Sequence, residues 1–90
     1  MKKQLHVIFR GQVQGIGFRY TAEALARDLS VSGWVKNLHT GDVEIAAEAE
    51  ESVLKQYLKR LEDRFSGYIS DEKIGWQQAT DGFAAFEIKF

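Results

Sequence analysis

The sequence predicts an α+β sandwich in which two helices cover one face of an antiparallel sheet of four to five strands. Three observations carry that prediction. Two stretches repeat their apolar residues at helical spacing, the segments around them alternate apolar and polar residues, and the elements follow the order β-α-β-β-α-β. With 90 residues there is room for one domain, taken as residues 1–90. A composition of 44% hydrophobic and 28% charged residues suits a packed core rather than a disordered chain.

The elements follow in order. Leu5, Val7 and Phe9 alternate with His6, Ile8 and Arg10, which predicts a first strand with its core face filled. The pattern breaks at Gly11-Gln12-Val13-Gln14-Gly15-Ile16-Gly17, where three glycines fall in seven residues. Phe18, Ala22, Leu25, Ala26 and Leu29 then recur at helical spacing, predicting a helix from Arg19 to Leu29. A strand from Val31 to Leu38 and another from Asp42 to Ala49 are joined by the turn His39-Thr40-Gly41-Asp42. The second helix, Glu51 to Phe65, has the stripe Leu54, Tyr57, Leu58, Leu61 and Phe65, with Gly67 as its expected C-cap. A weaker strand is expected over Ile74 to Gln78 and a last one over Phe86 to Phe90. This order is the split βαβ of ferredoxin-like folds.

Several function classes drop out early. There is no cysteine, so thiol catalysis and disulfide staples are excluded. Twelve Lys and Arg against thirteen Asp and Glu oppose an extended nucleic-acid or anionic-membrane surface. An RNA-binding domain of this fold would want aromatic and basic residues on a central strand, whereas Glu44-Ile45-Ala46-Ala47-Glu48 is acidic and aliphatic. The basic start Met1-Lys2-Lys3 leads into an apolar run broken by His6 and Arg10, unlike a secretory signal. We therefore expect a cytoplasmic monomer with neither nucleic acid nor membrane as partner. His6 and His39 have no metal-site spacing and are expected at the surface or as caps, and no metal or cofactor is expected. Glu44 and Glu48 share a strand face that solvent exposure would explain, and no serine has a nucleophile-elbow setting.

What remains is an anion site. A glycine loop feeding a helix start can present several backbone N–H groups in a concave nest at the positive end of the helix dipole. The same glycines could equally serve only the turn. Arg19 weighs on the side of function, because a cation in the first helical turn is opposed by the dipole by about 0.3–1 kcal/mol unless something negative sits there. Its structural alternative is an i,i+4 pair with Glu23. The loop lacks the Gly-Lys-Ser/Thr of a Walker A motif, and Tyr20 stands where a dinucleotide fingerprint needs its third glycine. Asn37 precedes the turn, where asparagine often bonds locally, and Lys36 alternates to the opposite face as a solvated side chain. For Trp34 and Phe18, core packing is expected.

Gly11-Gln12-Val13-Gln14-Gly15-Ile16-Gly17-Phe18-Arg19 resembles the first signature of the acylphosphatase family, and Gly33-Trp34-Val35-Lys36-Asn37 followed by Gly41-Asp42-Val43 resembles the second. Two linked motifs at suitable separation are more specific than either alone. The family's second signature usually closes on glycine, where this chain has Ala49 and then Glu50, a departure expected to alter only the strand-to-helix turn. The resemblance implies metal-independent hydrolysis of small-molecule acyl phosphates to a carboxylate and inorganic phosphate. It implies that Arg19 and the loop Gln14, Gly15, Ile16, Gly17 and Phe18 hold the phosphoryl group and that Asn37 orients the attacking water. A non-catalytic anion-binding or regulatory module of the same fold, or a domain of a larger carbamoyl-transferring maturation protein, are the alternatives.

Overall fold

The computed structural model describes residues 1–90. Its elements are β1 (Lys2–Gly11), α1 (Phe18–Leu29), β2 (Ser32–Asn37), β3 (Val43–Glu50), α2 (Glu51–Arg64), β4 (Ile69–Gln78) and β5 (Phe86–Lys89). They form one five-stranded sheet in the order β4-β1-β3-β2-β5. The expected ferredoxin-like order holds, with two corrections. The sheet is mixed rather than antiparallel, because β5 pairs parallel to β2 with Val35 opposite Ile88. The fourth strand starts at Ile69, five residues before the expected Ile74, and pairs along nearly all of β1.

Period-two alternation sorts each strand onto two faces. Leu5, Val7 and Phe9 of β1, Val43, Ile45 and Ala47 of β3 and Val35 of β2 face the helices and are buried. The helices bring Phe18, Ala22 and Ala26 from α1 and Leu54, Tyr57 and Leu61 from α2 onto that face. Phe18 lies between Phe9, whose ring is 5.0 Å away, and Phe65 at 4.5 Å. Burying such a ring contributes about 2–3 kcal/mol, so the first residue of α1 is anchored directly beneath the glycine loop. The Tyr57 hydroxyl donates to the Ala22 carbonyl at 2.9 Å and ties the two helices together.

The helix ends have separate causes. α1 stops where Ser30 takes a left-handed conformation at φ 58°, with the Ser30 and Val31 amides donating back to the last turn. α2 carries Glu51 in its first turn and Arg64 in its last, in agreement with its dipole. Its cap is Phe65, at φ −118°, and Gly67 does not take the left-handed cap expected of it. Ala49 is buried near the end of β3 away from Val43, where it pairs with Lys3. No helix is long and apolar enough to cross a membrane.

Three side chains fall elsewhere than expected. Trp34 belongs to the face away from the helices and outside the core, with the Lys36 and Lys89 ammonium groups 5.2 and 4.9 Å from its ring. Lys36 also reaches Glu44 at 3.7 Å, so it is partnered rather than simply solvated. Glu48 is buried, because the segment after β4 folds over it and brings donors to its carboxylate. His6 pairs with Glu44 across β1 and β3 at 2.6 Å, a surface role as expected.

Candidate functional site

The loop between β1 and α1 leaves the sheet where Arg10 gives way to Gly11 and the pairing with β4 shifts register. The buried Val13 and the Gln12 amide, which donates to the Tyr68 carbonyl at 2.8 Å, hold its first half. Its second half turns through Gly15 at φ 78° and Gly17 at φ 80°. Open space surrounds both glycines, so their left-handed backbone and not crowding calls for glycine. This turn swings the chain into α1 with Gly17 at the N-cap position.

At that end of α1 the usual devices for satisfying a helix start are missing. No side chain caps it and no acidic residue lies in its first turn. The amides of Gly15, Ile16, Gly17, Phe18 and Arg19 donate to no backbone acceptor, and the first intrahelical bond runs from Thr21 to Gly17 at 3.0 Å. Arg19 adds a full positive charge to this cluster of donors. The structure excludes its i,i+4 alternative, since Glu23 pairs with Arg27 at 3.4 Å instead. The guanidinium lies 4.8 Å from the centre of the Phe90 ring, a contact that steadies the cation without neutralising it.

Asn37 ends β2 opposite Val43, on the face toward the helices. It meets the loop in a cavity of about 140 Å³ lined by Val13, Gly15, Gly17, Phe18, Arg19, Tyr20 and Asn37. Arg19 and Asn37, eighteen positions apart in sequence, are thereby brought into one cavity. Of the remaining predicted residues, Ile16 packs against the core, and the Gln14 side chain reaches the β2–β3 turn instead of the cavity. Two lining residues, Val13 and Tyr20, escaped the sequence reading. The position of Tyr20 directly after Arg19 was the available signal. A larger cleft of about 370 Å³ lies between the end of α1 and β5, but it is walled mainly by Ala26, Val31, Ala84, Ala85 and Phe86 and is lined by neither the glycine loop nor Asn37.

One family model, under the description acylphosphatase, matches residues 5–88 of the chain. The chain belongs to the acylphosphatase family. It is 47% identical over 88 residues to an acylphosphatase of Treponema denticola, covering 97% of this chain and 93% of that one. The crystal structure of acylphosphatase from Bacillus subtilis superimposes with a TM-score of 0.90 at 33% identity, covering 98% and 99% of the two chains. A crystal structure of full-length HypF contains a similar fold, with a TM-score of 0.86 at 21% identity, in 12% of its length. Family membership and fold together support an enzyme that hydrolyses acyl phosphates.

Proposed function

We propose that the chain hydrolyses small-molecule acyl phosphates by in-line attack of water in the cavity between the glycine loop and Asn37. Arg19 and the amides of the Gln14–Phe18 loop hold the phosphoryl group, and the Asn37 side chain orients the water. The observation that carries this reading is the presence, in one cavity, of an arginine with no carboxylate partner, a helix start with free amides, and an asparagine able both to donate and to accept.

The chemistry asks for little more. Water oxygen bonds to phosphorus, the bond from phosphorus to the acyl oxygen breaks, and the carboxylate departs with the electron pair. The water's protons end on the phosphate product and the solvent. A carboxylate is a weakly basic leaving group, so no acid need protonate it, and a loose phosphoryl-transfer transition state makes small demands on a base. Positioning and charge stabilisation remain. Arg19 can bind two phosphoryl oxygens through its planar fork, while the loop amides supply fixed dipoles that need no reorganisation during the reaction.

The test is hydrolysis of benzoyl phosphate in excess chelator by the wild type, Arg19→Ala and Asn37→Ala. Activity is expected to survive chelation and to fall on the order of 10²–10⁵-fold in Arg19→Ala. An inactive wild type that still binds phosphate calorimetrically, with binding lost in Arg19→Ala, identifies an anion-binding module instead. Full activity in Arg19→Ala removes the assignment of this residue.

A further inference from the structure

We infer that Gln14 is a positioning residue for the hydrolytic step, setting the distance between the phosphoryl-binding loop and the water held by Asn37. The inference rests on the reading proposed above and goes beyond it, because Gln14 enters that reading only as part of the loop backbone. Its side chain does something else. Gln14 Nε2 donates to the Leu38 carbonyl at 2.6 Å and to the Asp42 carbonyl at 2.9 Å. Both acceptors are carbonyls, so only the nitrogen end of the side chain can meet them, and both of its hydrogens are used.

These two carbonyls close the turn that follows Asn37. The Leu38 amide donates to the Asp42 carbonyl at 2.8 Å and the Gly41 amide to the Leu38 carbonyl at 3.1 Å. Leu38 is the residue next to Asn37, so the Gln14 amide grips the chain one peptide beyond the proposed water-orienting side chain. The end of the loop is bonded to α1 through the Thr21 amide and the Gly17 carbonyl, whereas Asn37 is held in the sheet by its pairing with Val43. Among the hydrogen bonds made by the loop, those of Gln14 are the ones that reach the segment following Asn37; the Gln12 amide goes to Tyr68 on the other side of β1.

Glutamine suits this task on physical grounds. Its amide supplies two donors at a fixed angle, which a serine or asparagine at the same position could not extend to both carbonyls. It is also neutral. A glutamate would meet the carbonyls with repulsion and compete with the substrate for the loop's positive potential. In-line attack is sensitive to misplacement, and an error of about 1 Å can cost roughly 10²-fold in rate. The latch therefore acts on the rate of the step more than on the affinity for phosphate.

The test compares the wild type with Gln14→Met, which keeps the length and removes the donors, and with Asn37→Ala and the double variant. The readouts are kcat for benzoyl phosphate and the competitive inhibition constant of inorganic phosphate. Gln14→Met is expected to lose on the order of 10–10²-fold in kcat while phosphate inhibition changes less than about threefold. The double variant is expected to be no slower than Asn37→Ala alone, since Gln14 acts through Asn37. If Gln14→Met does not fold by circular dichroism, Gln14→Asn takes its place, an amide one methylene too short to bridge both carbonyls. Full kcat in either folded variant, a parallel loss of phosphate affinity, or additive losses with Asn37→Ala overturns the inference while leaving the proposed activity intact. A wild type that turns over no acyl phosphate removes the proposed activity and this inference with it.

Discussion

Two ends of the same sheet gather backbone N–H donors and treat them in opposite ways. At the end of β3 opposite Ser32, the Thr80 and Asp81 amides, the Thr80 hydroxyl and the Gln4 amide all donate to the Glu48 carboxylate at 2.7–2.9 Å. At the other end, where Val43 pairs with Asn37, the amides around Gly15 to Arg19 meet no backbone acceptor and no capping side chain. The first nest carries its own anion and is closed, so it holds the segment after β4 against the sheet. On the proposed function the second is left for an anion from outside. The difference lies in who supplies the negative charge, and it separates a structural site from one that can exchange its contents.

The largest expected effect comes from opening the closed nest. Burial pushes the Glu48 carboxyl up, but the hydrogen bonds from Thr80, Gln4 and Asp81 outweigh it and hold the group below the usual carboxylate range. Glu48→Ala strands several donors at once and is expected to cost about 2–4 kcal/mol in urea unfolding. Benzoyl phosphate turnover should stay within about twofold while the protein is folded, because the site lies at the opposite end. A large loss of turnover in folded Glu48→Ala would break the proposed separation of the two ends. The group's contribution to stability is present above the ordinary carboxylate value and is lost as pH falls through its lowered one.

A change in the opposite sense would close the open nest. Tyr20 is exposed, stands in the first turn of α1 and lines the cavity. Tyr20→Glu puts a carboxylate beside the free amides and Arg19. It is expected to stabilise the helix by about 0.3–1 kcal/mol and to lower kcat/KM at least ~10-fold, as an internal anion competes with substrate. Higher stability without loss of activity would show that the open end is not reserved for substrate charge.

The legibility of these two ends in the sequence differed for the same reason. Arg19 could be found because it violates a local rule, a cation at the positive end of a dipole, and local rules need no tertiary knowledge. Glu48 could not, since its alternation with Ile45 and Ala47 reads as an exposed face and its donors arrive from a segment 32 and 33 residues away. Gln14 was hidden similarly, its partners being carbonyls 24 and 28 residues on that carry no side-chain signature. The first half of β4, Ile69 to Lys73, was masked by the charges Asp71, Glu72 and Lys73, which an edge strand with a single neighbour tolerates. Strand direction is absent from a period-two pattern, so the parallel placement of β5 came only with the fold. Trp34 was readable but misread: it shares parity with Lys36, which already belonged to the face away from Asn37.

The smallest effect sharpens the comparison by using one residue type in two settings. Glu72 sits opposite the buried Phe9 across β1 and β4, and its Oε1 is enclosed with no hydrogen-bond partner. Here no donors arrive. Burial, the neighbouring Glu62 carboxyl and the charge of Asp71 push Glu72 up to about 7, and once protonated it can donate to Glu62, which two carboxylates could not do for each other. Because the folded state holds this proton more tightly than the unfolded chain, the stabilisation is fully present below about 4.5 and fades as pH rises through about 7. Allowing for solvent screening, the loss is on the order of 1 kcal/mol. Glu72→Gln keeps the neutral shape at every pH, so its melting temperature should exceed that of the wild type at pH 8 and converge with it near pH 4.5. Equal melting curves for the two proteins at pH 8 would mean that Glu72 escapes burial once it ionises, and that the absence of donors matters less at this position than their presence does at Glu48.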